Sequence, residues 1–192
     1  MSAIIRYALN MLPYMLLSIP FYLAARIIFA RRKRIPFAPW HEFLLLLFVI
    51  FAVGLASQTV VPKFQFGVTG FSIIKERIHE TNLIPFKVFY DTWREVITNN
   101  NLNYFLINFL GNIILFIPFG LFTQLLWDIP RKRSVAIGFG VSFFIEFCQL
   151  FLARGTDIDD LLLNIFGAFL GVLIYTFLQK VFPKVVASFR LK

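Results

Sequence analysis

Five apolar stretches, each long enough to cross a lipid bilayer, take up most of this 192-residue chain. They run over residues 4–29, 42–61, 102–127, 134–153 and 160–182. A spanning helix needs about 20 apolar residues, since the hydrocarbon offers its backbone no other hydrogen-bond partner. Composition points the same way, with 59% of residues hydrophobic, 15% charged and 26 of them Phe. A soluble core of this size has too little interior to bury so much apolar surface. A soluble enzyme, a disordered regulator and a disulfide scaffold are excluded. The predicted fold class is an all-α integral membrane protein: a five-helix transmembrane bundle with an outer amphipathic segment. Residues 1–192 read as a single membrane domain without repeats or low-complexity tracts.

The charge balance reads as topology. Lys+Arg number 19 against Asp+Glu 10, a net +9 that in a soluble protein would suggest nucleic acid. Here the cations sit in short runs between spans: Arg31, Arg32, Lys33 and Arg34, then Arg131, Lys132 and Arg133. A third group, Lys180, Lys184, Arg190 and Lys192, closes the chain. Pairs of spans separate the three groups, so all can face the cytoplasm as the positive-inside rule requires. The N-terminus and residues 62–101 then lie outside and the C-terminus inside. Membrane lipid is an expected partner and nucleic acid is not. Arg6 before an apolar run resembles a signal peptide, but Pro13, Pro20 and the following cations predict a retained helix. Pro118 is expected to kink the third span rather than end it. Cys148, the single cysteine, excludes an intrachain disulfide and a Cys-built zinc site.

After Pro85, residues Phe86, Phe89, Trp93, Val96 and Ile97 recur at helical steps, with Lys87, Asp91, Arg94 and Glu95 between them. Such a stripe predicts a helix that either lies in the membrane surface or packs on the spans. His79 and Glu80, just before it, read as solvated.

Polar residues inside spans need individual accounting, because a central charge costs about 2.5–3.5 kcal/mol to insert. Asn108 and Asn112 share one face of the third span. Gly138, Ser142, Glu146, Gln149 and Ala153 form a polar and small stripe on the fourth. Asp160, Asn164, Gly167 and Gly171 form another on the fifth, while Gln58 sits near the outer end of the second. The link between the last two spans carries Arg154, Asp157 and Asp159. The carboxylates and amides among these residues fall in the outer half. Amides, Ser142 and the glycines suffice as interhelical glue. A carboxylate such as Glu146 needs a partner, water or a proton, and an ionisable residue inside the membrane is a functional candidate by default.

Three blocks of residues resemble the VanZ-like family. Asn82-Leu83-Ile84-Pro85-Phe86 is similar to its N-L-I-P-F motif. Asn108-Phe109-Leu110-Gly111-Asn112, running into Leu115-Phe116-Ile117-Pro118-Phe119-Gly120, resembles its second block. Glu146, Gln149, Arg154, Asp157, Asp160, Asn164, Gly167 and Gly171 follow the spacing of the third. The motifs lie within residues 82–175. The resemblance implies a multi-pass protein of the bacterial plasma membrane, in a family whose name-giving member is associated with low-level teicoplanin resistance. It implies no particular reaction.

The residues leave two main readings. In the first, a lipid-handling enzyme uses Glu146 and Asp160 as acid and base. Asn108, Asn112, Gln149, Asp157 and Asn164 then position substrate, and Arg154 grips an anionic headgroup with its forked donors. In the second, a non-enzymatic binder holds a lipid, a lipid-linked cell-wall precursor, a lipoglycopeptide or an envelope protein in the same pocket. A transporter is disfavoured, because the polar residues stop in the outer half. No nucleophile elbow, zinc motif or P-loop is present. No cofactor and no metal are expected.

Overall fold

Helix α1 (Ala3–Lys33) passes through Pro13 and Pro20 without ending, and α2 (Pro39–Thr59) starts on a proline after an extended Ala38. The first helical position suits proline, whose missing N–H would have no partner there. The computed structural model describes residues 3–62, 64–67, 70–73, 82–152 and 155–191. Strands β1 (Phe64–Gly67) and β2 (Gly70–Ile73) pair antiparallel, Phe64 opposite Ile73 and Gly67 opposite Gly70. Next come α3 (Lys87–Asn99), the short α4 (Leu102–Phe105), a π-helical turn (Leu106–Leu110) and α5 (Gly111–Leu126). Helices α6 (Arg131–Phe151), α7 (Ile158–Val181) and α8 (Pro183–Ser188) complete the described chain.

Five helical segments have the length and apolarity to span a bilayer: Leu9–Lys33, Pro39–Thr59, Leu102–Leu126, Arg131–Phe151 and Ile158–Val181. The all-α bundle expected from sequence is therefore present, with one small hairpin that the sequence reading did not foresee. Helix α5 continues through Pro118. The Arg131, Lys132 and Arg133 run, read as a loop, is instead the first turn of α6, which begins directly after Pro130. Hydroxyls within the spans fold back on their own helix: Thr123 donates to Phe119 O at 2.5 Å, and Thr176 to Val172 O at 2.8 Å. No water is needed to satisfy them.

Helices α5 and α7 form the centre, with α6 against both, α2 against α5, and α1 against α2. The central contact is backbone on backbone. A Cβ added at Gly167 would lie 2.2 Å from Ile113 O, and one added at Gly171 would lie 2.1 Å from Ile117 O. Only glycine admits such an approach, and in lipid this close packing replaces the hydrophobic drive of a soluble core. Around it, Leu55, Phe116, Phe119 and Ile145 form one buried cluster, and Leu44, Leu125, Leu126, Tyr175 and Val186 another. Phe48 joins them with edge-on contacts to Phe119 and Phe122 at 5.6 and 5.5 Å.

The two ends of the bundle differ in charge. At the end bearing Arg31, Arg131 and Lys180, several polar groups pair within the protein, while Tyr22 Oη and Arg190 Nε are buried without a hydrogen-bond partner. Arg26 grips Glu42 with two hydrogen bonds of 2.8 and 2.6 Å, and buried His41 bonds Phe189 O at 2.8 Å. Arg190 reaches Tyr175 Oη at 2.6 Å and Asp128 at 3.0 Å.

Gly167→Leu and Gly171→Leu should each prevent the α5–α7 contact, since even modest overpacking costs about 1–3 kcal/mol and these collisions are with backbone. The expected result is loss of the monodisperse species on size exclusion in detergent. Gly140→Leu is the control, because nothing lies within 4 Å of a Cβ added there. It should elute as the wild type does.

Candidate functional site

At the other end, the polar side chains of α5, α6 and α7 meet. Asn101 caps α4 by accepting from the Tyr104 amide at 3.3 Å. The π turn that follows shifts the backbone ladder by one residue, so that the Gly111 amide reaches Leu106 O. Asn108 spends its side-chain amide on Tyr104 O at 3.0 Å, and Asn112 donates to Asn108 O at 3.1 Å. Asn112 also crosses to α7 and donates to Asp160 Oδ1 at 2.5 Å. A widened turn of this kind recurs at functional sites.

The link into α7 is built around carboxylates. Glu146, on α6 and only 6% exposed, accepts the Asp157 amide at Oε2 over 3.1 Å. Asp157 caps α7, its carboxylate accepting from the Asp159 amide at 2.9 Å. One turn deeper, Asn164 donates to Ser142 Oγ at 2.9 Å and ties α7 to α6.

A strap runs across this end. Asn82 pairs with Asp157 in an isolated parallel bridge: its amide donates to Thr156 O at 2.9 Å, and its carbonyl accepts from Ile158 N at 3.0 Å. The Asn82 side chain donates to Asp157 Oδ1 at 3.0 Å. Phe86 follows with a left-handed φ of 67°, rare for a bulky residue. Its amide and that of Val88 both donate to the buried Asp159 carboxylate, at 2.5 and 2.7 Å. Consecutive left- and right-handed residues turn their amides to one side and make a natural anion nest. Asp159 fills it and fixes the start of α3.

The strap sets how α3 lies. Thr92 is buried and the Phe89 ring meets Phe109 edge-on at 5.9 Å, so one edge packs on the spans. Phe86, Tyr90, Trp93 and Ile97 form a stripe on another face, each more than half exposed. The two readings of this helix therefore describe two of its faces. Its charged side opens a cleft of about 400 Å³ lined by Asp91, Arg94, Glu95, Thr98, Asn99 and Tyr104.

The sequence candidates thus divide. Asn112 meets Asp160, Glu146 meets the Asp157 backbone, and Asn164 meets Ser142. Asn108 makes only its local bond, and Gln149, partly exposed on α6, has no side-chain hydrogen bond among the described residues. Arg154, His79 and Glu80 lie outside the described residues. Sequence reasoning missed Asp159 as the anchor of α3 and Asn82 as the partner of Asp157. The available signal was three acids within one turn of an apolar chain, which is too much charge to leave unpartnered. Among the described residues, no three His, Cys, Asp or Glu side chains are grouped to hold a metal ion.

The VanZ/LLP1 family model matches residues 43–179, which takes in α2, the strap and all three helices of this layer. No curated protein and no solved structure matches the chain.

Proposed function

We propose, from the premise that this chain belongs to the VanZ/LLP1 family, that it binds the polar part of an amphipathic envelope molecule. The ligand class is a lipid-linked envelope component or a lipoglycopeptide, and the binding surface is the carboxylate and amide layer of α5, α6 and α7. One observation carries this reading. Glu146 and Asp160 are held inside a bundle end by amide donors alone, with no cation bonded to either among the described residues. Neutral side chains would join the helices at lower desolvation cost, so a retained carboxylate points to use rather than glue. Low-level teicoplanin resistance, associated with the name-giving member of the family, is the phenotype that this reading would connect with such binding. Arg154, beside Asp157 in the sequence, is the candidate grip for an anionic group on the ligand.

The same reading puts the layer on the outer face of a bacterial plasma membrane. Cations mark the opposite end of the bundle, and the positive-inside rule assigns that end to the cytoplasm. The exposed stripe of α3 then enters the outer headgroup region beside the site. Cysteines introduced at Asn99 and Ser188, in a Cys148→Ala background, test the orientation. The Asn99 position should react with an impermeant maleimide on intact cells, and the Ser188 position only after permeabilisation. The reverse pattern would move the layer to the cytoplasmic side and remove the envelope ligand.

Binding itself is tested by titrating teicoplanin onto the full chain in nanodiscs. Removing one partner of a desolvated charged contact costs about 2–5 kcal/mol, at least about tenfold in affinity. Glu146→Gln and Asp160→Asn should therefore each weaken binding by at least about tenfold while keeping side-chain shape. Wild-type affinity in both variants, or no binding by the wild type, overturns the lipoglycopeptide reading.

A further inference from the structure

The buried centre of the layer leaves hydrogen-bond acceptors unfilled. Asn112 uses both side-chain N–H groups, on Asn108 O and Asp160, while Asn164, the Asp157 amide and the Asn82 side chain each donate once, to Ser142, Glu146 and Asp157. Asn164 is 5% exposed, and its Oδ1 is buried without any hydrogen-bond partner. Glu146 accepts only at Oε2 and Asp160 only at Oδ1 among the described residues. The two carboxyl groups are not hydrogen-bonded to each other.

Position makes these vacant acceptors one site. Asn164 is one turn along α7 from Asp160, and its partner Ser142 is one turn along α6 from Glu146. The orphan oxygen therefore lies between α6 and α7, one turn inside two carboxylates that repel each other across the gap. A buried unpaired oxygen costs about 1–3 kcal/mol, so a donor that reaches it is favoured by about that much. Electrostatics extend the pattern outward. Tyr104, in the wall of the α3 cleft, feels Asp91 and Glu95 on one side and Asp157 and Asp160 on the other. The acids of the cleft, which Arg94 also lines, and those of the layer thus act on one shared residue, on the helix end next to α3.

We infer that this layer recognises a protonated primary amine on an amphipathic ligand, the ammonium placed between Glu146 and Asp160 with one N–H donated to Asn164 Oδ1. An ammonium carries three donors and no acceptor, the complement of what is vacant. The described acids are not grouped to hold a metal ion, which leaves N–H rather than a bare cation as the donor. The ligand's chains lie along Phe86, Tyr90, Trp93 and Ile97. This inference rests on the binding reading above and specifies the group that is bound.

The test uses the full chain in phosphatidylcholine nanodiscs, doped with either phosphatidylethanolamine or its N-acetyl derivative of identical chains. Native mass spectrometry reads which lipid is retained. The two lipids share chains and phosphate and differ at the nitrogen, a cationic ammonium in one and a neutral acetamide in the other. Hydrogen bonds to a charged group contribute about 1.5–3 kcal/mol, so the amine form should be retained about tenfold better or more. Glu146→Gln combined with Asp160→Asn should reduce that preference to near parity. Equal retention of both lipids by the wild type overturns the amine while leaving the binding reading intact. Retention of neither above the phosphatidylcholine background also overturns it, and the teicoplanin titration then decides the binding reading by itself.

Discussion

Helices α5 and α7 touch backbone to backbone, and the polar chemistry of the bundle depends on that contact. Gly167 against Ile113 O and Gly171 against Ile117 O fix the register of two helices that run the same way. In lipid, no hydrophobic force would hold them at this distance, since acyl chains solvate leucine as well as another helix does. Dispersion and close fit must do it, which requires glycine. With that register set, Asn112 on α5 reaches Asp160 on α7, and α6 closes on both through Ser142 and Asn164. The site is a consequence of the packing.

Charge is handled differently at the two ends. At the basic end, Arg26 is neutralised by Glu42 and Arg190 by Asp128, and His41 is satisfied by a carbonyl. These pairs anchor α1 and the C-terminal turn, although Tyr22 Oη and Arg190 Nε stay buried without a hydrogen-bond partner. In the layer at the other end, Glu146 and Asp160 are bonded by amides, and an acceptor on Asn164 is bonded by nothing. Only Asp159 is fully used there, by the two amides of the nest that starts α3. The contrast lies in charge pairing: carboxylates at the basic end face cations, whereas Glu146 and Asp160 face none among the described residues.

Much of the fold was legible because spanning helices announce themselves by length. Five runs of about 20 apolar residues leave few alternatives, and each is a helix within a few residues of its expected ends. The layer was legible as a set of faces but not as a set of pairs. Helical spacing placed Asn112, Glu146, Asp160 and Asn164 on inward stripes, yet spacing cannot say which stripe meets which. Asn108 illustrates the limit. Its expected role assumed 3.6 residues per turn, whereas the π turn from Leu106 to Leu110 changes the local period, and its amide bonds Tyr104 O. Asn82 and Asp157 were harder still. They are 75 positions apart, and their bridge depends on the strap crossing the bundle end, which no local pattern encodes. The hairpin at Phe64–Gly67 and Gly70–Ile73 was hidden by its size, since two strands of four residues carry little periodic signal.

The central claim is that the carboxylates are kept for binding and not for holding the helices together. Residues retained for a site are often neutral or costly to stability, whereas glue is stabilising. Thermal unfolding of Glu146→Gln in detergent, without ligand, separates the two most directly. The substitution keeps an oxygen for the Asp157 amide and removes a desolvated charge beside Asp160. A melting temperature equal to or above that of the wild type is the predicted result. A fall of about 4 °C or more, roughly 1–2 kcal/mol for a chain of this size, would contradict it and make Glu146 part of the glue.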